Sequence, residues 1–104
     1  MTRALPKPSR FESPAYLKFV RQHHCCVTNC WRWTHAHHVV FDGQGRVGSK
    51  VDDTQTVPLC ERHHTQYHTL GREVFAQKHG LDLAQIVIEL LTEYIRQQGE
   101  EPPA

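Results

Sequence analysis

The side chains able to do chemistry gather in three short stretches: Cys25-Cys26-Val-Thr-Asn-Cys30, Ala36-His37-His38, and Cys60-Glu-Arg-His63-His64-Thr-Gln-Tyr-His68. Thiolates and neutral imidazoles are the donors zinc takes, four at a time in a tetrahedron, usually as short-spaced pairs from distant segments. Cys30 with Cys25 or Cys26 makes one such pair, and Cys60 with His63 makes the other. Cys25 is the preferred ligand; Cys26 is then a small buried residue or the alternative ligand. The expectation is a structural zinc held by Cys25, Cys30, Cys60 and His63. His64 and His68 stand four apart and share a helix face. His37 and His38 are neighbours on a strand and point to opposite faces unless the strand bends. Strand and helix together can thus assemble a second metal site.

These stretches sit in a small chain of 104 residues, one domain at most. A domain of this size buries too little surface to be stable by packing alone, so a staple is expected. The four cysteines could supply disulfides, but Cys25 and Cys26 are adjacent and no apolar leader follows the start. A cytoplasmic, metal-stapled chain is the expectation. No run is apolar and long enough for a membrane helix. Net charge is +1, unevenly spread. Residues 1–50 hold eight Lys/Arg against two Asp/Glu, and residues 51–104 hold four against nine. A basic N-terminal half suits a polyanion such as nucleic acid; a basic arm serving solubility is the plainer reading.

The positioning elements follow from punctuation and period. Residues 1–12, with Pro6 and Pro8, read as an extended arm, 13–98 as the folded domain, and 99–104 as a disordered tail. Ser13-Pro14 starts a helix that ends near His23. Ala36 to Phe41 has strand character, Asp42 to Gly45 is a turn, and Thr56 to Leu59 is a short edge strand because Pro58 cannot donate to a ladder. Cys60 opens a helix that Gly71 breaks, Arg72 to His79 forms another, and Asp82 caps the longest, Leu83 to about Gln98. On that last helix Leu83, Ile86, Val87, Leu90, Leu91, Tyr94 and Ile95 form a broad apolar face, expected in the core. The class is small α+β: a two-strand ribbon crossed by a helix, with one N-terminal helix and C-terminal helices.

Taken together, Cys-x4-Cys, Ala36-His37-His38-Val39, Asp53 and Val57-Pro58-Leu59-Cys60-x2-His63-His64-x3-His68 resemble the HNH endonucleases, the ββα-metal fold. The closest variety is the phage-type group related to the recombination-enhancement nuclease Ref. The resemblance spans roughly residues 13–82. It implies that His37 and His64 hold a catalytic divalent ion and that His38 is the general base. It gives the place of the middle asparagine to Asp53, since the one asparagine here, Asn29, lies in the cysteine turn. His63 stands where the usual fourth zinc ligand is cysteine, and His68 is a metal ligand or a phosphate contact. The implied activity is metal-dependent hydrolysis of DNA phosphodiesters, cutting or nicking with weak sequence specificity. The implied partners are DNA and a recombination or phage DNA-processing protein.

Imidazole donors suit Zn, Ni or Mn, and an added Asp admits Mg. Arg10, Arg46 and Lys50 are the expected nucleic-acid contacts. His23, His24 and His35 are expected on the surface or orienting neighbours, and His79 at a helix C-terminus as a dipole partner. Trp31 and Trp33 are core by default; base stacking is the sharper idea. A non-catalytic zinc-containing DNA-binding module is the alternative, and a metal-stabilised interaction domain a third. A C2H2 finger is disfavoured, because no His pair follows Cys30 at that fold's gap of about twelve residues.

Overall fold

The computed structural model describes residues 10–44 and 51–99. The expected contacts Arg46 and Lys50, most of the expected arm and nearly all of the expected tail lie outside the described residues. The element order is α1 (Pro14–Arg21), β1 (His35–His38), β2 (Thr56–Leu59), α2 (Glu61–Leu70), α3 (Arg72–His79) and α4 (Leu83–Gly99). The described chain is thus a small α+β fold of four helices and one two-stranded sheet.

Local chemistry explains the boundaries. The Ser13 hydroxyl accepts from the Tyr16 N–H at 3.1 Å, and Pro14 follows at the first helical position. The Asp82 carboxylate accepts from the Gln85 N–H at the head of α4. Gly80 ends α3 at φ 63°, a left-handed conformation costly to side chains with a Cβ. The first strand is shorter than Ala36–Phe41. Its partner offers only four residues, paired antiparallel from His35↔Leu59 to His38↔Thr56. Beyond His38 one further bond, Val39 N–H to Gln55 O, precedes the turn at Asp42-Gly43. Arg72 clamps that turn, donating to Val40 O and to Asp42 Oδ1.

Two apolar clusters hold the layers together. Val39, Val57, Leu59, Tyr67, Phe75, Leu83 and Val87 join the sheet to α2, α3 and α4. Tyr16, Phe19, Val20 and Leu90 join α1 to α4. The second cluster is aromatic: the Tyr94 ring meets Tyr16 edge-on at 5.0 Å and Phe19 at 5.1 Å. Edge-to-face pairs add about 0.5–1.5 kcal/mol each beyond area burial. The apolar face of α4 is therefore mostly core, as its period predicts. Ile95 departs from that pattern and is exposed near the helix end.

Trp31 and Trp33 also depart from expectation. Core packing is the default for indoles, yet their exposures are 71 % and 93 %. They occupy the extended link between the cysteine turn and β1, where neither apolar cluster reaches.

Candidate metal centres

The first cluster is built by a knuckle and a helix cap. Asn29 sits at φ 65°, an uncommon conformation that asparagine tolerates better than most residues, and it lets Cys30 turn back, its N–H bonding Val27 O at 3.1 Å. Cys60 is the N-cap of α2, and its Sγ accepts from the His63 N–H. Cys25, Cys30, Cys60 and His63 thereby bring one donor atom each within 4.8 Å of one another. The Cys30 and Cys60 sulfurs are 3.8 Å apart, and His63 Nδ1 lies 3.4 Å from Cys25 Sγ and 3.2 Å from Cys60 Sγ. A tetrahedral zinc with ordinary bond lengths sets sulfurs about 3.8 Å apart and sulfur and nitrogen about 3.6 Å apart. The donor set fits zinc, and its four members leave no open position.

Electrostatics points the same way. Burial pushes the Cys25 thiol up to about 11 and lowers His63, whose neighbours His79, Arg62 and Arg32 act in the same sense. A buried thiol such as Cys25 holds charge poorly unless a cation joins it, whereas bonds from the Arg32 backbone and the neighbouring thiols outweigh burial and lower Cys30. Cys26 lies outside the cluster, and burial raises its thiol to about 12. Its backbone N–H bonds Pro58 O at 2.9 Å, tying the knuckle to β2. The open choice between the adjacent thiols thus resolves to Cys25.

The second cluster joins the sheet to α2. His37, His64 and His68 bring one donor nitrogen each within 4.8 Å. His64 Nε2 and His68 Nε2 are 3.0 Å apart, and the His37 ring lies 4.5 Å from that of His64. His37 is buried against Tyr67, ring to ring at 4.3 Å, and its Nε2 has no hydrogen-bond partner. Burial, then the charges of His64, His68 and His38, lowers His37 to about 4. Burial and His68 likewise lower His64. Neutral imidazoles are the ligand form. An orphaned buried nitrogen costs free energy unless something binds it, so the trio fits a metal ion with positions to spare.

His38, the next residue on β1, has a different partner. Its Nε2 lies 2.8 Å from Asp53 Oδ1. Asp53 is buried and tightly held: Ser13 N–H donates to Oδ2 at 2.8 Å, and Arg10 Nη2 is 3.1 Å from Oδ1. Burial works to raise this carboxyl, but the bonds from His38 and Ser13 and the Arg10 charge outweigh it and hold Asp53 below its usual range. An ionised Asp53 takes a proton-bearing Nε2, which leaves Nδ1 of the neutral ring free to accept a proton. Asp53 is therefore placed with the expected base, not in the histidine trio.

Other candidate residues have partners of their own. The Arg10 guanidinium is engaged by Asp53 and Glu12 instead of standing free for phosphate. The arm's last residues are bound to the domain: Phe11 N–H donates to Asp52 Oδ1, and Asp53 N–H to Phe11 O. His79 pairs with Gln66 and packs edge-on to His63 at 5.3 Å, supporting a cysteine-cluster ligand and not merely a helix end. His23 bonds Phe19 O, and the His24 ring meets Trp31 at 4.8 Å. Sequence reasoning missed the Arg10–Asp53–His38 chain; its only signal was the pairing of an arm arginine with a distant acidic dipeptide.

No helix among the described residues is long and apolar enough to cross a membrane. Comparison with known proteins finds an Escherichia coli (strain K12) relative, "Uncharacterized protein YdfU", 33% identical over 79 residues. The match covers 76% of this chain and 22% of the relative, so the chain spans under a quarter of that protein's length. No solved structure matches. The profile of the family described as "Protein of unknown function (DUF968)" matches residues 1–95, and the chain belongs to that family.

Proposed function

We propose that this chain is a metal-dependent DNA endonuclease or nickase of the HNH type, with a ββα-metal core stapled by zinc. The observation that carries this reading is the His37–His64–His68 trio, which a structural zinc does not need. A staple is complete with four ligands, and Cys25, Cys30, Cys60 and His63 already provide them. A three-imidazole site with free positions is the form catalytic metals take. The resemblance of the motifs to HNH enzymes and the order β1–β2–α2 add to it.

In this reading His37, His64 and His68 would hold the divalent ion, which would supply charge stabilisation at the scissile phosphate and the leaving oxygen. His38 removes a proton from the attacking water at Nδ1. Asp53 orients that ring through Nε2 and stabilises the imidazolium that forms, and Arg10 and Ser13 keep the carboxylate in place. The water oxygen bonds to phosphorus, the bridging oxygen departs, and the proton held on His38 is available to it. Zn, Ni, Mn or Mg is the candidate metal, and the reaction belongs in the cytoplasm on DNA, alongside a recombination or phage DNA-processing protein.

The test is plasmid cleavage by metal-stripped protein resupplied with Mg, Mn, Ni or Zn, beside a His38→Ala variant, with zinc counted by elemental analysis. Metal-dependent nicking lost in the variant, with one zinc retained in both, is the expected result. Zinc-loaded protein that shifts DNA on a gel and cuts with no metal would instead identify a non-catalytic DNA-binding module.

A further inference from the structure

Between the end of α1 and the link into β1 lies a groove of about 380 Å³, lined by Arg21, His24, Trp31, Arg32 and Trp33 among others. Two indoles this exposed on one short segment are unusual in a soluble surface. Their backbone is not loose. The buried Thr34 hydroxyl lies within bonding distance of both His23 O, at 2.8 Å, and Arg21 O, at 3.4 Å, pinning the link to α1. The His24 ring steadies Trp31 edge-on. No carboxylate lines the groove among the described residues, and Lys18 joins Arg21 in the last turn of α1.

We propose that this groove is a stacking platform for unpaired bases of a DNA strand. Trp31 and Trp33 take base faces, and Arg21 and Arg32 take the flanking phosphates. Stacking on aromatic faces, set in a cationic groove that tracks the backbone, is how sequence-tolerant single-strand sites work. Cationic lining suits a polyanion and disfavours an acidic-residue-free apolar partner. The platform also lies near the histidine trio along the chain. Trp33 is four residues before His37, so their Cα atoms are at most about 14 Å apart, the span of roughly four stacked nucleotides. In its placement relative to the trio, this proposal rests on the nuclease reading; the binding itself does not. It makes the favoured substrate DNA with an unpaired stretch near the cut.

The experiment measures fluorescence anisotropy of a labelled oligo-dT of about fifteen nucleotides, a length within known single-strand site sizes. It is run on His38→Ala protein without added metal, so that cleavage is suppressed. Trp31→Ala with Trp33→Ala should weaken binding at least about tenfold, and the paired Phe substitutions should restore most of it. Arg32→Gln should weaken binding and flatten its salt dependence. Retained zinc and an unchanged melting temperature certify that each variant is folded. Absent oligo-dT binding, unaltered affinity in the Ala variant, or Phe variants as weak as Ala ones overturns the platform. Metal-dependent cleavage by the parent with normal binding by the Ala variant removes the platform and leaves the nuclease. Platform-dependent binding without cleavage in any metal does the reverse.

Discussion

The cysteine cluster and the histidine trio share one short helix and differ in nearly everything else. Cys60 and His63 belong to the start of α2, and His64 and His68 to the turns that follow. In the cysteine cluster three of four donors are buried, and in the trio burial falls from His37 to an exposed His68. The first is complete and shut; the second is incomplete and faces solvent on one side. Closed four-ligand sites hold folds together, and three-ligand sites keep room for substrate. The same helix therefore carries ligands of a closed cluster at its start and ligands of an open cluster just beyond.

If this contrast holds, damage to the two clusters should separate cleanly. The largest effect is expected from Cys60→Ser. Zinc in small domains contributes about 10–16 kcal/mol of apparent binding energy, comparable with or above a whole domain's stability. Circular dichroism should show the variant unfolded and elemental analysis zinc-free; a folded, zinc-free variant would end the staple reading. His38→Ala should cut cleavage by about 10²–10⁴ and shift melting by less than about 5 °C. A large loss of stability there would mean His38 is structural.

A smaller effect is expected from His68→Ala. The metal concentration that half-restores cleavage should rise at least about tenfold, with one zinc still bound. Unchanged metal dependence would return His68 to a phosphate contact. Asp53→Asn should slow cleavage about tenfold and also alter acid stability. Asp53 is held below the ordinary carboxylate value of about 3.9, so its stabilisation is full above that value and fades as pH falls through the lower folded one. The urea midpoint gap between parent and Asp53→Asn should therefore narrow below about pH 4. A gap that widens on acidification would contradict that sign. The smallest effect is expected from Cys26→Ala, at about 1 kcal/mol or less with zinc stoichiometry unchanged, because it lies outside the donor set. Loss of zinc there would reopen the choice between the adjacent thiols.

Much of this arrangement is readable from local chemistry. Ser13-Pro14, Gly80 and Asp82 mark helix ends because caps and left-handed turns act over a few residues. The pairs Cys25/Cys30 and Cys60/His63 are legible because ligand spacing reflects a knuckle and a helix cap, both local. Strand alternation separates His37 from His38 in the sequence as in the structure. What is not legible depends on distant closure. Whether Cys25 or Cys26 faces the cluster is decided by the bond from Cys26 to Pro58, across the chain. The carboxylate that meets His38 is also held by Arg10 and Ser13, which arrive from the other end of the chain. Hydropathy alone buries Trp31 and Trp33; the fold has no core at that place to receive them.

The N-terminal segment has a consequence for handling the protein. Asp52 and Asp53 receive bonds from Phe11 and Ser13, a return bond reaches Phe11 O, and Arg10 supplies the counter-charge. Every proposed metal ligand lies downstream of these residues. A chain shortened to begin at Pro14 would therefore retain every residue of both clusters while leaving the Asp53 carboxylate with His38 alone. Residues 10–13 splint Asp53 from outside the metal-binding segments, and Ser13 caps α1 as well. Trimming or tagging at that end is a dial on the orientation of one imidazole, set without touching a single metal-binding side chain.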